Sequence, residues 1–104
     1  MEITLEQAEK EFVLNRKHGK IHIKKYIGGG GNVVVPEFID GMPVTKIEKM
    51  AFFGSDIIGA VIPHTVRYIG ESAFCLCKEL KKGYLDGITG VYITPKGYYV
   101  DDSD

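Results

Sequence analysis

The sequence predicts an α+β chain that is mostly strand and loop: a short solenoid of stacked repeats, opened by an N-terminal capping helix and closed by a C-terminal β-hairpin. Three observations carry this. Val44, Ile47, Ala51 and Phe52 recur as Val66, Ile69, Ala73 and Phe74 at identical offsets, a period of 22 residues, and such a period marks units too small to bury an apolar face without a stacked neighbour. Near the start, Thr4 and Gln7 have the spacing of a capping box ahead of apolar residues at helical intervals. Near the end, the extended runs 91–94 and 98–100 flank the turn residues Pro95, Lys96 and Gly97. The 104 residues are read as one domain in three parts: 1–19 is a capping helix and loop, 20–91 a cap strand and the repeats, and 92–104 the closing hairpin and an acidic tail.

In chain order, the helix is expected over residues 5–14, with Leu5, Ala8 and Phe12 on one stripe and Glu6, Glu9, Lys10 and Glu11 facing elsewhere. Residues 15–19 are expected as a polar break. Alternation over residues 20–24 then gives a half-buried strand with Ile21 and Ile23 turned inward. Gly28 to Asn32 reads as a turn, after which Val33, Val34 and Val35 resume an extended segment that Pro36 stops. Val61, Ile62 and Pro63 match Val34, Val35 and Pro36 at a spacing of 27, so the first unit carries five extra residues. Asp40 and Gly41 mark a turn within that insertion. A worn third unit is expected to keep its apolar pair at Ile88 and Val91, terminal repeats being atypical because they cap the core.

Hydrophobic content of 44% with 26% charged residues is ordinary for a globular protein, and a net charge of −1 gives no overall attraction to nucleic acid or anionic lipid. The acidic N-terminus lacks the basic start and apolar run of a secretory signal, and no stretch is long and apolar enough to span a bilayer. The expectation is therefore a cytoplasmic protein without a membrane partner. Cys75 and Cys77, one residue apart, could pair only with bad strain.

The run of Val34, Pro36, Ile39, Val44, Ile47, Ala51, Phe52, Ile62, Pro63, Val66, Ile69, Gly70, Ala73, Phe74 and Cys77 resembles the BspA-type leucine-rich repeats of bacteria and some protozoa over residues 26–91. That family's unit reads roughly Ile-Pro, Val-x-x-Ile-Gly, Ala-Phe, then Cys or Ser, so the resemblance implies that Ser55 and Cys77 share its small-residue position. Glu48 stands where the family has glycine, and the N-terminal helix lies outside the pattern. The resemblance implies a short bacterial leucine-rich-repeat solenoid that binds proteins or surfaces, often in adhesion, with no catalytic residue and no cofactor.

Other chemistry is thinly supported. The glycines 28–31 could cradle a phosphate, but no Lys-Ser/Thr follows and no helix opens there, so a turn is the better reading. Cys75 and Cys77 with His18, His22 or His64 lack the usual ligand spacing of structural zinc, and no nucleophile, base and acid stand in a meaningful arrangement. The basic stretch 16–25 puts Lys20, His22 and Lys24 on one strand face, which could meet phosphate or an acidic partner but reads better as a solvated face. Tyr84, Tyr92, Tyr98 and Tyr99 serve equally as hairpin packing or as interface anchors. With Val44, Ile47, Val66 and Ile69 inward, the pairs Thr45, Lys46 and Arg67, Tyr68 are displayed one rung apart. Val34 and Val61 are expected to project beside them. These six residues form the predicted binding site. The favoured function is a non-enzymatic protein-binding module, an inhibitor or adaptor of a larger partner. The alternatives are a fragment or relic of a cell-surface adhesin, and a nucleic-acid-binding module acting through residues 16–25.

Overall fold

The computed structural model describes residues 2–80 in full and, beyond them, the backbone of the strands at 82–85, 91–94 and 97–100. The chain opens with a short strand, β1 (Glu2–Ile3), and one helical turn, α1 (Leu5–Ala8). The capping box forms: the Gln7 amide donates to the Thr4 hydroxyl at 3.2 Å, and the Thr4 amide donates to Gln7 Oε1 at 2.9 Å. The helix is nonetheless far shorter than the expected 5–14. From Phe12 the chain is a strand, β2 (Phe12–Lys17), which pairs antiparallel with β3 (Lys20–Tyr26). Phe12 and Val13 are weak helix formers, and a strand lets Phe12 bury its ring while Val13 faces out. Nor are residues 15–19 a break. Asn15 pairs with His22 and Lys17 with Lys20, and His18 and Gly19, at φ 51° and 74°, supply the left-handed pair of a tight hairpin.

The remaining elements are β4 (Gly31–Val34), β5 (Phe38–Ile39), β6 (Met42–Ile47), β7 (Ile57–Ile62), β8 (Tyr68–Ile69), β9 (Lys82–Leu85), β10 (Val91–Thr94) and β11 (Gly97–Val100). Asp40 and Gly41, at φ 48° and 77°, turn β5 into β6 as expected, and β1 pairs parallel with β5.

Two parallel ladders carry the stack. In the first, β3, β6 and β8 lie side by side, and in the second β4, β7 and β9 do. Each rung thus gives one strand to each sheet. The spacing Val-x-x-Ile conflicts with the two-residue period of a strand, and the structure resolves it with a bulge. Ile21 sits opposite Val44 and Ile23 opposite Ile47, but His22 alone faces the pair Thr45 and Lys46. Both residues of that pair can therefore lean outward while Val44 and Ile47 stay fully buried.

Between the ladders each rung drops an aromatic ring into the core. Phe52 and Phe74 stack with centroids 4.8 Å apart at 16°, as residues one period apart in a solenoid should. On its other side Phe52 stacks on Tyr26 at 5.1 Å and 18°, and Phe12 closes the column edge-on at 6.3 Å. The loop backbones follow the same stacking: the amides of Tyr26, Phe52 and Gly54 donate to the carbonyls of Ala51, Ala73 and Cys75. Tyr26 reveals a rung that the sequence comparison missed, made of β3 and β4. The expected third unit fails in the other direction. Val91 opens β10, which pairs antiparallel with β9 instead of adding a parallel rung, and Ile88 lies outside the described residues. β10 and β11 then pair antiparallel as the expected hairpin, Val91 opposite Val100.

Candidate functional site

The outer face of the β3, β6 and β8 ladder follows from the bulge. His22, Lys46 and Tyr68 are register partners on three successive strands and so form one lateral row. The Arg67 amide donates to the Thr45 carbonyl at 2.8 Å, which puts Arg67 and Thr45 side by side in the adjacent row. Lys20, Pro43, Thr65 and His64 complete an open groove of about 600 Å³. Its inner side is the buried row Ile21, Val44 and Val66, so the backbone under the groove is held by the core.

Four of the six predicted residues, Thr45, Lys46, Arg67 and Tyr68, are brought together here. Val34 and Val61 are not. They are register partners of each other on the second ladder, exposed at 50% and 41%, and they do not line the groove. The expectation that they stand beside Arg67 and Tyr68 is corrected by the two-sheet architecture: the strand before each proline belongs to the other side of the stack. Sequence reasoning also missed His64 and Thr65 as groove residues. The signal was their position between Pro63 and Val66, at the mouth of the strand that carries Arg67.

Electrostatics set the groove apart from the rest of the chain. Lys20, Lys46 and Arg67 are permanent cations, and no carboxylate lines the groove. Two carboxylates stand beside its histidines: Glu48 lies 3.7 Å from His22 Nδ1, and Glu37 lies 3.9 Å from His64 Nδ1. Glu48 also accepts from Asn15 Nδ2 at 3.4 Å. Burial holds the His22 imidazole below its ordinary pKa; Glu48 opposes that shift, while Lys46, Lys17 and Lys20 reinforce it.

The other candidates resolve into structural roles. The glycine run is not a phosphate cradle. The Gly30 amide donates to the Tyr26 hydroxyl at 2.8 Å and the Gly31 amide to the Asp56 carbonyl at 3.2 Å, so both donors are spent inside the fold. Glycine is needed at 30, where φ is +94° and a Cβ would fall 2.7 Å from the Asp56 oxygen. Cys77 is fully buried and its thiol donates to the Phe52 carbonyl, with Ser55 Oγ 3.4 Å away. The Ser55 and Cys77 positions therefore do meet between rungs. Among the described residues no three His, Cys, Asp or Glu side chains converge as a metal site, and no helix is long and apolar enough to cross a membrane. Within the basic stretch, Lys20 and His22 reach the groove, while Arg16 borders a separate hollow beside Phe12 and Ile27. The tyrosine side chains at 84, 92, 98 and 99 lie outside the described residues.

No protein-family model matches the chain, and no curated protein matches it significantly. Two solved structures do. A leucine-rich repeat protein of T. pallidum superposes with a TM-score of 0.70 and 35% identity, over 74% of this chain and 37% of that one. A leucine-rich repeat protein from Bacteroides capillosus superposes with a TM-score of 0.66 and 24% identity, over 74% of this chain and 62% of that one. The chain therefore spans under two-fifths of the first neighbour and about three-fifths of the second. The repeating Val-x-x-Ile strands, the aromatic column and these neighbours agree that the chain has a leucine-rich repeat fold.

Proposed function

We propose that this chain is a non-enzymatic protein-binding module of the BspA-type leucine-rich repeat kind, an inhibitor or adaptor that grips a larger partner through the groove on β3, β6 and β8. One observation carries the reading. The row His22, Lys46 and Tyr68 is chemically varied where the buried row beneath it is uniformly aliphatic, and Tyr68 stands 71% exposed. A large ring held in solvent contributes little to folding. Tyrosine and arginine on a fixed backbone are, however, the side chains that most often dominate interface energies. Solved leucine-rich repeat neighbours and a laddered, open surface support binding over catalysis.

The test is to capture the partner from the source cell, identify it by mass spectrometry and titrate it against variants. Arg67→Ala and Tyr68→Ala should each weaken binding by about 1–4 kcal/mol, with melting temperatures close to the parent because both side chains lie outside the core. A double variant that folds normally and holds the partner at full affinity would remove the groove from the reading.

A further inference from the structure

We propose that the groove on β3, β6 and β8 takes an acidic, extended segment of its partner, with aspartate or glutamate side chains reaching Lys46, Arg67 and Lys20. This rests on the protein-binding reading above and names the chemistry of the segment bound. The first argument is charge complementarity. A chain with 14 acidic and 13 basic Lys and Arg residues has gathered three permanent cations around one groove and left every carboxylate out of its lining. The flanking Glu48 and Glu37 stand within 4 Å of His22 and His64, outside the groove lining.

The second argument is spacing. The groove crosses three strands, a width of roughly 10 Å at about 4.8 Å per strand. An extended chain covers that distance in about three residues. Its alternate side chains point the same way about 7 Å apart, so acidic residues two apart could meet the long, flexible cations carried on rungs about 4.8 Å apart, while Thr45 offers a hydroxyl and Tyr68 and Pro43 offer apolar walls. Nucleic acid fits less well. Tracking a phosphate backbone requires a line of cations longer than three, and Arg16, Lys24 and Lys25 do not join the groove lining.

Fluorescence anisotropy tests this with three labelled probes of equal length: an alternating Glu-Ala peptide, its Lys-Ala counterpart and a single-stranded oligonucleotide. The acidic peptide should bind at least about tenfold more tightly than either, and should lose several-fold in affinity as salt rises from about 50 to 300 mM. The double variant Lys46→Glu with Arg67→Glu should lower its affinity by at least about tenfold. Lys78→Glu, an exposed change in a separate hollow bordered by Ser55 and Leu76, should leave it within about twofold. Equal binding of the two peptides, preference for the oligonucleotide, or an equal loss in Lys78→Glu would each overturn the proposal. The protein-binding reading fails separately, when the captured partner ignores Arg67→Ala and Tyr68→Ala. A partner lost on those substitutions but presenting a neutral or basic segment would sink only the acidic assignment.

Discussion

Replacing Phe52 by alanine tests the stack at its centre. The ring is fully buried, stacked on Tyr26 at 5.1 Å and on Phe74 at 4.8 Å, with Phe12 edge-on at 6.3 Å. Truncating a buried Phe costs about 3–5 kcal/mol through lost burial and the residual cavity. Aromatic pairs add about 0.5–1.5 kcal/mol each beyond area, and Phe52 belongs to three of them, so the upper half of that range applies. Domains of this size are stable by about 5–15 kcal/mol, so Phe52→Ala should remove a large fraction of the total. At about 4–8 °C per kcal/mol, the melting temperature should fall by more than about 16 °C. Phe74→Ala should cost less, since among the described residues its ring makes one aromatic pair, with Phe52, where Phe52 makes three. Thermal and urea melts followed by circular dichroism measure both, with the urea slope checking that the denatured state is unchanged. A Phe52→Ala protein that melts within about 2 °C of the parent, or that outlasts Phe74→Ala, would refute the column as the organising element.

Three further outcomes follow from the same geometry. Gly70→Ala should destabilise by about 1–3 kcal/mol in chemical denaturation, because its Cβ would fall 2.7 Å from the Glu48 carbonyl carbon, against backbone that the rung below fixes. Maleimide labelling of the native protein, read by peptide mass, should modify half-exposed Cys75 first and reach Cys77 only on unfolding, since that thiol is buried against the Phe52 carbonyl; fast labelling of Cys77 would contradict the packing. Finally, because burial lowers the folded-state pKa of His22 below its unfolded value near 6.5, the unfolded chain takes up the proton first as pH falls. The His22 contribution is therefore complete above about pH 6.5 and is lost as pH drops through the lower folded value. Melts of the parent between pH 7.5 and 5.5 should decline more steeply than those of His22→Gln, and parallel declines would show that His22 is not responsible.

How much could be read in the sequence depended on which residues repeat themselves. Val44, Ile47, Ala51 and Phe52 announce their rung because the next one spells it again, and the structure stacks them as that identity requires. The first rung was illegible because it fills the same space with different letters. Tyr26 replaces phenylalanine so that its hydroxyl can take the Gly30 amide, and β3 omits the bulge, so Ile21 and Ile23 are two residues apart where Val44 and Ile47 are three. The N-terminal helix misled for a different reason. Its cap was read correctly, but Leu5, Ala8 and Phe12 fit a helical stripe only until β3 offers Phe12 an edge to pair with, and tertiary pairing outweighs so weak a local preference. Of the candidate site, the outward pairs followed from the repeat, whereas the separation of Val34 and Val61 required knowing that each rung visits two sheets.

Where consecutive rungs differ, the difference marks what each position is for. At the inward positions the exchanges conserve role: Tyr26, Phe52 and Phe74 all supply a ring, and Ser55 and Cys77 both fit the gap between turns. Glu48 and Gly70 are the exception that bears on function. Gly70 lets its rung close onto the Glu48 and Lys49 backbone, whereas Glu48, one rung earlier, sends a carboxylate back to His22 and Asn15 on the cap hairpin. That departure from the repeat places an anion beside a groove histidine and outside the lining, while Lys46, the His22 register partner, lines the groove. A stack selected only for stability would gain little from such an arrangement, because a part-exposed carboxylate and imidazole contribute at most about 1 kcal/mol. The field above β3, β6 and β8 is set instead by the lining itself, where three cations stand without a carboxylate among them.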